Sequence, residues 1–493
     1  MREKTNPRRH FLKKTLALCV SGVLHFSVTT VAHAKRLTAS LDNIKGKIIR
    51  KGDSNYKLWW ASMVWYVFKP KLYPDLIIKA ESDEDVIEAV NYARENGHRV
   101  SLRSGGHNPA RAVLRDGGVL LDLSSLREVS FDDVEKTAWL QPGIRSEEFI
   151  ELAREHDLAF PAAHTGIVPM GGYLLGGGLG WNWPGWDIAC RSIIAAEVVT
   201  ADGRKVMTSE TENQDLLWAI RGAGPGFFGV VVRYKLKMFS LPKAILKSKY
   251  LVPIDNISTV IEELEKITRV KKNNLEILAV AGHFYPPNKP VEQQQLVCAV
   301  TAIAFADTDK EALSLIEPMT RSKISTMSIL KKEEEEIVFQ DLYIPPPTDF
   351  ASPNRSIAEN IWTDEPGKAL QLLADRLKDK PPASPRSFVL TGWGVSPDKN
   401  DANSSFTYFA DHYVSWYVMA EEEAHLEKNI SWMNEAVNAL KPYTKGHYVN
   451  EVDPRHFPEH IRACFSEEKW QRLAQLRLQY DPQNIFHTYI NHS

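Results

Sequence analysis

The chain has 493 residues, which is too long for one hydrophobic core and predicts two or three lobes. Apolar residues make up 43% of it, as in a globular enzyme, and its 60 basic and 62 acidic residues leave a net charge of -2. This balance argues against nucleic acid, or an anionic membrane surface, as the main partner.

The first 34 residues are typical of an export signal rather than of a folded domain. Residues 6–13 (NPRRHFLK) resemble the twin-arginine signal, a moderately apolar stretch follows at 16–31, and residues 32–34 (AHA) form an A-x-A cleavage site. The stretch contains His25 and several Ser and Thr, so it is a poor membrane span, although an uncleaved anchor stays open. We therefore expect the twin-arginine machinery to export the protein to the periplasm or the medium, with no membrane attachment after cleavage.

Residues 35–159 alternate between strand-like and helix-like segments. An aromatic cluster at 59–66 is expected to serve packing, with the lining of a site as the alternative. One strand leads into the loop Arg103-Ser104-Gly105-Gly106-His107-Asn108, which offers paired glycines, a fixed cation, a hydroxyl and an imidazole. The predicted strands are 73–78, 99–102, 118–123 and 137–143, and the predicted helices are 82–97 and 145–156.

A glycine-rich segment runs from Phe160 to Asn182, with seven glycines in fifteen residues and no charge between them. Glycine is favoured where φ is positive or where a ligand must touch bare backbone, and unblocked N–H groups bind anions such as a diphosphate. A tight turn between buried strands is the alternative. The seven glycines are Gly166, Gly171, Gly172, Gly176, Gly177, Gly178 and Gly180.

After the glycine-rich segment, a second pattern matches the dinucleotide-binding fingerprint only in its glycine spacing. Residues 224–229 satisfy G-x-G-x-x-G, but the helix-like segment 214–220 precedes them and the strand-like segment 230–234 follows. The fingerprint needs the opposite order, so a nicotinamide dinucleotide site is unlikely on this pattern. With a hairpin at 193–207 and no regular strand–helix–strand repeat, the fold class is predicted to be α+β.

From 241 to 440 the glycine loops disappear and nothing identifies a substrate. Helices are expected at 256–269 and 308–317, strands at 295–305, 406–412 and 413–418, a solvated helix face at 331–336 and a rigid loop at 345–348. No metal-binding motif appears. The three cysteines beyond the export signal are expected to be small buried hydrophobes: Cys190, Cys298 and Cys464.

Taken together, the two glycine loops resemble the vanillyl-alcohol oxidase superfamily of flavoenzymes, and most closely its berberine-bridge-enzyme-like branch. In that branch the R-S-G-G-H loop wraps the FAD diphosphate, and its His bonds covalently to the flavin 8α-methyl group; His107 holds that place. The tail segments 446–453 and 480–486 resemble G-x-Y-x-N-Y-x-D and V-D-P-x-N-x-F, with Glu451 replacing the second Tyr. The resemblance covers about residues 73–239 and 446–486.

The resemblance implies a domain plan. A two-lobed PCMH-type FAD-binding domain would occupy 35–240, an α/β substrate domain on an antiparallel sheet 241–440, and a C-terminal segment returning to the FAD domain 441–493. Bicovalent relatives bond flavin C6 through a Cys, and Thr165 stands at that position. Because a hydroxyl does not add to flavin as a thiolate does, one covalent link is expected.

The implied chemistry is hydride transfer from a small alcohol, sugar or amine to the flavin, with a base on the tail taking the proton. Tyr448, Glu451 and Asp453 are candidates, and the family position favours Tyr448. Val168 leaves space that the family links to O₂ access, so O₂ is the expected acceptor. The expected cofactor contacts are Arg103, Ser104, Gly105, Gly106, His107, Asn108, Thr165, Gly166, Val168, the remaining six glycines of the segment, Val199, Tyr448 and Asn450.

The sequence leaves two alternatives to the oxidase function open. One is an exported flavin dehydrogenase that passes electrons to a quinone or a protein. The other is a catalytically inactive FAD-fold binding module, which need not retain flavin.

Overall fold

A computed structural model describes residues 40–284, 294–343, 356–394, 399 and 401–489, and all of them belong to one compact unit, Ala39–Ser493. The export signal at 1–34 and the proline loop at 345–348 lie outside the described residues. Among the described residues, no helix is long and apolar enough to cross a membrane.

The first sheet has four strands in the order β1-β2-β4-β3. Strands β2, β4 and β3 run parallel, and β1 joins as an antiparallel edge strand. The helix predicted at 82–97 is confirmed, since Ser82 caps α2 by accepting a hydrogen bond from the Asp85 N–H. The elements are β1 (Lys47–Arg50), α1 (Tyr56–Ser62), β2 (Leu76–Lys79), α2 (Asp83–Glu95), β3 (Val100–Arg103) and β4 (Val119–Asp122).

The second sheet is antiparallel, with five strands in the order β5-β6-β10-β8-β9. The G-x-G-x-x-G sequence forms a short turn between a preceding helix and a following strand, which confirms the reversed order. The elements are β5 (Val129–Asp132), β6 (Thr137–Leu140), α3 (Ser146–Arg154), β7 (Leu158–Ala159), α4 (Met170–Leu175), α5 (Trp183–Trp186), β8 (Ile193–Thr200), β9 (Lys205–Ser209), α6 (Gln214–Ile220), β10 (Gly229–Lys237) and β11 (Phe239–Ser240).

The third sheet has seven antiparallel strands in the order β15-β12-β14-β13-β17-β18-β16. Helices α7, α8, α10 and α11 pack on one face and bury an apolar core there. The elements are β12 (Ala244–Pro253), α7 (Ile257–Val270), β13 (Leu275–Phe284), β14 (Gln295–Ala306), α8 (Asp309–Thr320), α9 (Lys323–Met327), β15 (Leu330–Glu336), β16 (Ser356–Thr363), α10 (Pro366–Asp379), β17 (Phe388–Gly392), β18 (His412–Met419) and α11 (His425–Leu440).

Two predictions in this region are wrong. Residues 331–336 form the edge strand β15 rather than a helix face, because pairing with β12 overrides the helix propensity of Lys and Glu. Charged side chains also suit an exposed edge, since they discourage pairing with another chain. Residues 406–410 form no strand, and regular pairing begins only at His412.

The tail carries α12 (Pro458–Arg462) and α13 (Glu467–Tyr480) and then returns to the first sheet. The N–H of Val100 donates to the Ile485 carbonyl at 2.7 Å, and the N–H of His487 donates to the Val100 carbonyl at 2.8 Å. The buried Arg477 guanidinium holds this turn by donating to the Phe486 carbonyl and to Asp481. The tail therefore supports the strand that leads into the 103–108 loop.

A stability prediction concerns Asp85, which is buried at the start of α2. Its carboxylate accepts hydrogen bonds from the N–H groups of Lys45 (2.7 Å), Gly46 (3.0 Å) and Glu81 (2.8 Å). Asp85→Ala leaves these three donors without that acceptor, so we expect the free energy of unfolding to fall by roughly 3 kcal/mol or more in urea titrations. The exposed neighbour Glu84→Ala should change it by less than about 1 kcal/mol, and equal losses in the two variants would refute the argument.

Candidate cofactor and active site

The described residues enclose a cavity of about 1300 Å³. Its walls are the 103–109 loop, part of the glycine segment, the tail near Tyr448 and the face of the seven-stranded sheet that the helices leave open. Most ligand pockets measure roughly 300–1,000 Å³, so this cavity can hold a large cofactor together with a substrate.

The two glycine loops touch each other at the cavity wall. A Cβ on Gly105 would lie 2.1 Å from Cγ of Pro169, and a Cβ on Gly171 would lie 2.5 Å from Oγ of Ser104. Arg103 anchors the first loop by pairing with Asp122 at 2.7 Å. The structure therefore brings together two segments that the sequence separates by some sixty residues, as expected for loops that close on one ligand.

His107 lines the cavity and stacks on Trp65, with ring centroids 5.6 Å apart and planes 15° from parallel. Its Nε2 atom is buried and has no hydrogen-bond partner in the described structure. Desolvation by burial lowers the pKa of His107 to about 4, so the imidazole is neutral at pH 7. An unpartnered buried nitrogen of a neutral imidazole fits a site where a bound group occupies that nitrogen.

The glycine segment divides into a part that lines the cavity and a part that does not. Gly166, Gly171 and Gly172 line the cavity; a Cβ would meet Glu147 and Tyr343 at Gly166 and Ser104 at Gly171, but it would have nothing within 4 Å at Gly172. The other four are required by contact with protein: a Cβ would meet Asn450 at Gly176, the Phe406 ring at Gly177, Tyr173 and Ala189 at Gly178, and the carbonyls of Pro161 and Ala162 at Gly180. Packing against protein therefore explains these four glycines, although they lie between α4 and α5 rather than between two strands.

The predicted cofactor contacts outside the glycine segment line the cavity, with one exception. Val199 is fully buried in β8, where it pairs with Val230, and it is not among the residues that line the cavity. Asn108 joins the first loop to the tail, because its Nδ2 donates to the Asn450 carbonyl at 3.2 Å. The predicted residues that line the cavity are Arg103, Ser104, Gly105, Gly106, His107, Asn108, Thr165, Gly166, Val168, Gly171, Gly172, Tyr448, Asn450 and Glu451.

Tyr448 connects the tail to the glycine segment. Its hydroxyl oxygen accepts hydrogen bonds from the N–H groups of Gly178 (3.0 Å) and Leu179 (3.3 Å) and from Nδ2 of Asn450 (3.0 Å). The Asn360 side chain fixes the Tyr448 backbone through both its N–H and its carbonyl. Burial raises the pKa of Tyr448 well above its usual value, so the phenol stays neutral and acts as a clamp between segments.

Glu451 places a carboxyl group in the cavity. It accepts hydrogen bonds from the hydroxyl groups of Tyr413, at 2.5 Å, and of Tyr417. Burial is the largest effect on the Glu451 pKa and raises it, whereas the two hydroxyl groups and the nearby His164 lower it. A carboxyl with a raised pKa, held in one orientation by two donors, is suited to acid–base chemistry.

A second polar pair in the cavity was not predicted from the sequence. Nε2 of His164 lies 3.1 Å from the buried Glu276 carboxylate, which also accepts the Asn182 N–H. The edge of the His164 ring meets Trp181, with centroids 4.4 Å apart. The sequence could have pointed to His164, because it precedes the predicted contact Thr165. Nothing local in the sequence indicates that its partner is Glu276 on β13.

One buried cluster has the composition of a metal site. Glu359, His447 and His460 bring ligand atoms within 4.8 Å of one another. Nδ1 of His447 donates to the Asn360 carbonyl at 2.6 Å, so it carries a proton and is not free to bind a metal. Nδ1 of His460 bonds the Glu359 carboxylate at 2.8 Å. These hydrogen bonds support the backbone next to Tyr448.

Comparison with known proteins indicates the class of protein to which this chain is similar. Residues 74–209 match the FAD binding domain family. The FAD-linked oxidoreductase nodO of Hypoxylon pulicicidum is 27% identical over 436 residues, covering 84% of this chain and 90% of the relative. The (R)-6-hydroxynicotine oxidase of Paenarthrobacter nicotinovorans is 26% identical over 469 residues, covering 91% and 96%. The solved structure of Physcomitrella patens BBE-like 1 matches with a TM-score of 0.78 at 17% identity, over 92% of this chain and 99% of that chain.

The protein is therefore an enzyme that uses FAD, an FAD-linked oxidoreductase. It has the mixed helix and antiparallel-sheet fold of the berberine-bridge-enzyme-like structures, which confirms the predicted fold class and cofactor. The residues present fit this cofactor, because the cavity is large, the wall at Gly172 is open and the His107 Nε2 atom is unpartnered.

The two kinds of glycine can be separated by experiment. Gly177→Ala places a methyl group 2.7 Å from the Phe406 ring at a φ of +121°, and we expect a clear fall in Tm from strain of about 1 kcal/mol plus the overlap. Gly172→Ala meets no protein atom within 4 Å and lies within α4, where alanine is favoured, so its Tm should not fall. Similar losses of Tm in the two variants, measured by circular dichroism, would contradict this division.

Proposed function

We propose that the protein is an exported FAD-dependent oxidase that oxidises an alcohol, a sugar or an amine, with one covalent bond between His107 and the flavin and with O₂ as electron acceptor. When bound, the flavin supplies a two-electron acceptor for the hydride of a C–H bond. The observation that carries the proposal is the presence, in one cavity, of the unpartnered His107 nitrogen and the buried Glu451 carboxyl.

A single covalent link is supported by the residues around the cavity. The neutral His107 imidazole has a free nitrogen lone pair, whereas Thr165, which also lines the cavity, offers only a hydroxyl group. Cys190, Cys298 and Cys464 are buried, and burial raises the pKa of each thiol. Thiolate chemistry at these three cysteines is therefore disfavoured.

Glu451 is better suited than Tyr448 to accept the substrate proton. A general base works best when its pKa lies near the working pH. Burial raises the pKa of Glu451 from an ordinary value of 4.5, which lies below neutral pH, whereas it raises the pKa of Tyr448 from a value that already lies above neutral pH. The Tyr448 oxygen already accepts three N–H donors. We therefore assign Glu451 as the base and Tyr448 as a positioning residue.

O₂ as acceptor is supported by two observations. Val168 lines the cavity at the position that the resemblance links to oxygen access, and valine leaves room that leucine would fill. One relative is named as an oxidase, the (R)-6-hydroxynicotine oxidase. Export through the twin-arginine route is proposed from residues 6–13, and the division into domains at 35–240, 241–440 and 441–493 from the resemblance.

The test of the proposed function is a screen of alcohols, sugars and amines for anaerobic bleaching of the flavin. Bleaching by a substrate, followed by rapid recovery and H₂O₂ release in air, supports the oxidase. Bleaching with slow recovery in air indicates a dehydrogenase. A purified protein without flavin would indicate the inactive binding module.

The covalent link can be tested by acid precipitation. The unmodified protein should retain its yellow colour in the pellet, and a flavin-bearing tryptic peptide should contain residue 107. His107→Ala removes the bonding nitrogen, so its flavin should pass wholly to the supernatant. Thr165→Ala is the matched control and should keep the flavin in the pellet. A second flavin peptide around Thr165 would contradict the single link.

The role of Glu451 can be tested by pH profiles. A base must be deprotonated, so kcat/KM should rise with pH, with its acid limb above the ordinary Glu value of 4.5 because burial raises the Glu451 pKa. Glu451→Gln should lower kcat/KM by about 10²- to 10⁴-fold and remove this limb. Tyr417→Phe removes a hydroxyl that lowers the Glu451 pKa, so the limb should move to higher pH. An unchanged limb in Glu451→Gln would exclude Glu451 as the base.

A further inference from the structure

The seven-stranded sheet presents two lysines to the cavity. Side chains alternate along β12, so Lys247, Lys249 and Leu251 face the cavity, while Ser248 and Tyr250 face the helices. Within the described part of the chain, neither lysine forms an ion pair or a hydrogen bond through its ammonium group. Lys247 is half-buried and Lys249 is exposed to the open side of the cavity. The partial desolvation of its ammonium group by surrounding protein atoms, and then the charge of Lys247, lowers the pKa of Lys249.

Two other cations that line the cavity lie close to a carboxylate. Arg103 pairs with Asp122 at 2.7 Å, and Arg386 lies 3.8 Å from the Glu421 carboxylate.

Glu335 lies opposite Lys247 in the strand register, but its carboxylate pairs with Lys332, and among the described residues no ion pair joins it to Lys247. The like charges of Lys247 and Lys249 repel each other. An anion bound between them would compensate both charges.

The strand register relates this pair to the candidate base. Lys249 lies opposite Thr301, and the same row continues through Leu278 and Gly392 to Tyr413. Tyr413 donates to Glu451. Neighbouring strands are about 4.8 Å apart, so four steps place Lys249 roughly 19 Å from Tyr413 along the sheet.

The sheet surface between Lys249 and Tyr413 is mainly apolar. Beside the row that joins these two residues, a second row of paired residues crosses the same strands and presents aliphatic side chains to the cavity. The row from Lys249 to Tyr413 adds a leucine and a glycine. These residues are Leu251, Ala299, Val280, Leu390, Leu278 and Gly392. Such a floor contacts hydrocarbon favourably and offers few hydrogen-bonding groups.

We propose that Lys247 and Lys249 bind the anionic group of an elongated, largely apolar substrate, whose body lies across the sheet and whose oxidised carbon lies beside Glu451. The inference rests on the proposed oxidation, because Glu451 marks the reacting end. The substrate class is thus a long organic acid with an alcohol or amine at the end remote from its carboxylate or phosphate.

The experiment measures binding to the holoenzyme without turnover, by the change in flavin absorbance under anaerobic conditions or in tryptophan fluorescence. The probes are ω-hydroxydodecanoate, the neutral dodecanediol of equal length, and the short hydroxybutanoate. The unmodified protein should bind the long acid most tightly. High salt should weaken binding of the acid but not of the diol.

The double variant Lys247→Met/Lys249→Met should lose about tenfold or more in affinity for ω-hydroxydodecanoate, since it lacks both charged hydrogen-bond donors for the carboxylate. Its affinity for the diol and its flavin content should stay unchanged. Lys243→Met is the matched control, because Lys243 precedes β12 and is not among the cavity residues.

Equal binding of acid and diol by the unmodified protein would overturn the inference. So would an undiminished preference for the acid in the double variant. A loss of flavin from the double variant would assign the lysines to the FAD diphosphate and overturn it as well. Lysine-dependent binding of the acid, in a protein whose flavin no compound bleaches, would support the anion site while the proposed oxidation fails.

Discussion

The close contact between the two glycine loops is the constraint on which the site depends. Gly105 against Pro169 and Gly171 against Ser104 leave no room for a Cβ, so the loops meet only because these positions carry none. The ion pair between Arg103 and Asp122 fixes the first loop at the end of its strand. This contact sets the wall of the cavity and presents the unpartnered His107 nitrogen to it.

A second set of contacts joins the seven-stranded sheet to that wall. Tyr448 is held by Asn360 on β16 and accepts N–H groups of the glycine segment, so it bridges the two. Three residues further along, Glu451 reaches the hydroxyl groups of Tyr413 and Tyr417 on β18. The tail thus carries Glu451, while Tyr413 and Tyr417 on the sheet orient its carboxyl group and lower its pKa.

Electrostatics give the cavity two different ends. Burial keeps His107 neutral and raises the pKa of Glu451, so it disfavours the charged form of both groups. The opposite end of the sheet face carries Lys247 and Lys249, separated from Glu451 by mainly aliphatic side chains. Because charges interact strongly in a partly desolvated space, this asymmetry favours one orientation of a substrate with one charged end.

The sequence by itself determined the fold class, the FAD cofactor and the cavity residues of the two glycine loops and the tail, because capped helices such as α2 and the two glycine motifs are local patterns. Only the tertiary structure decided that 331–336 is an edge strand, that Gly176, Gly177, Gly178 and Gly180 serve packing, and that Trp65 stacks on His107. The same holds for the His164–Glu276 pair and for the row from Lys249 to Tyr413. Such contacts depend on strand register and tertiary packing, which join residues from different elements and leave no periodic trace along the chain.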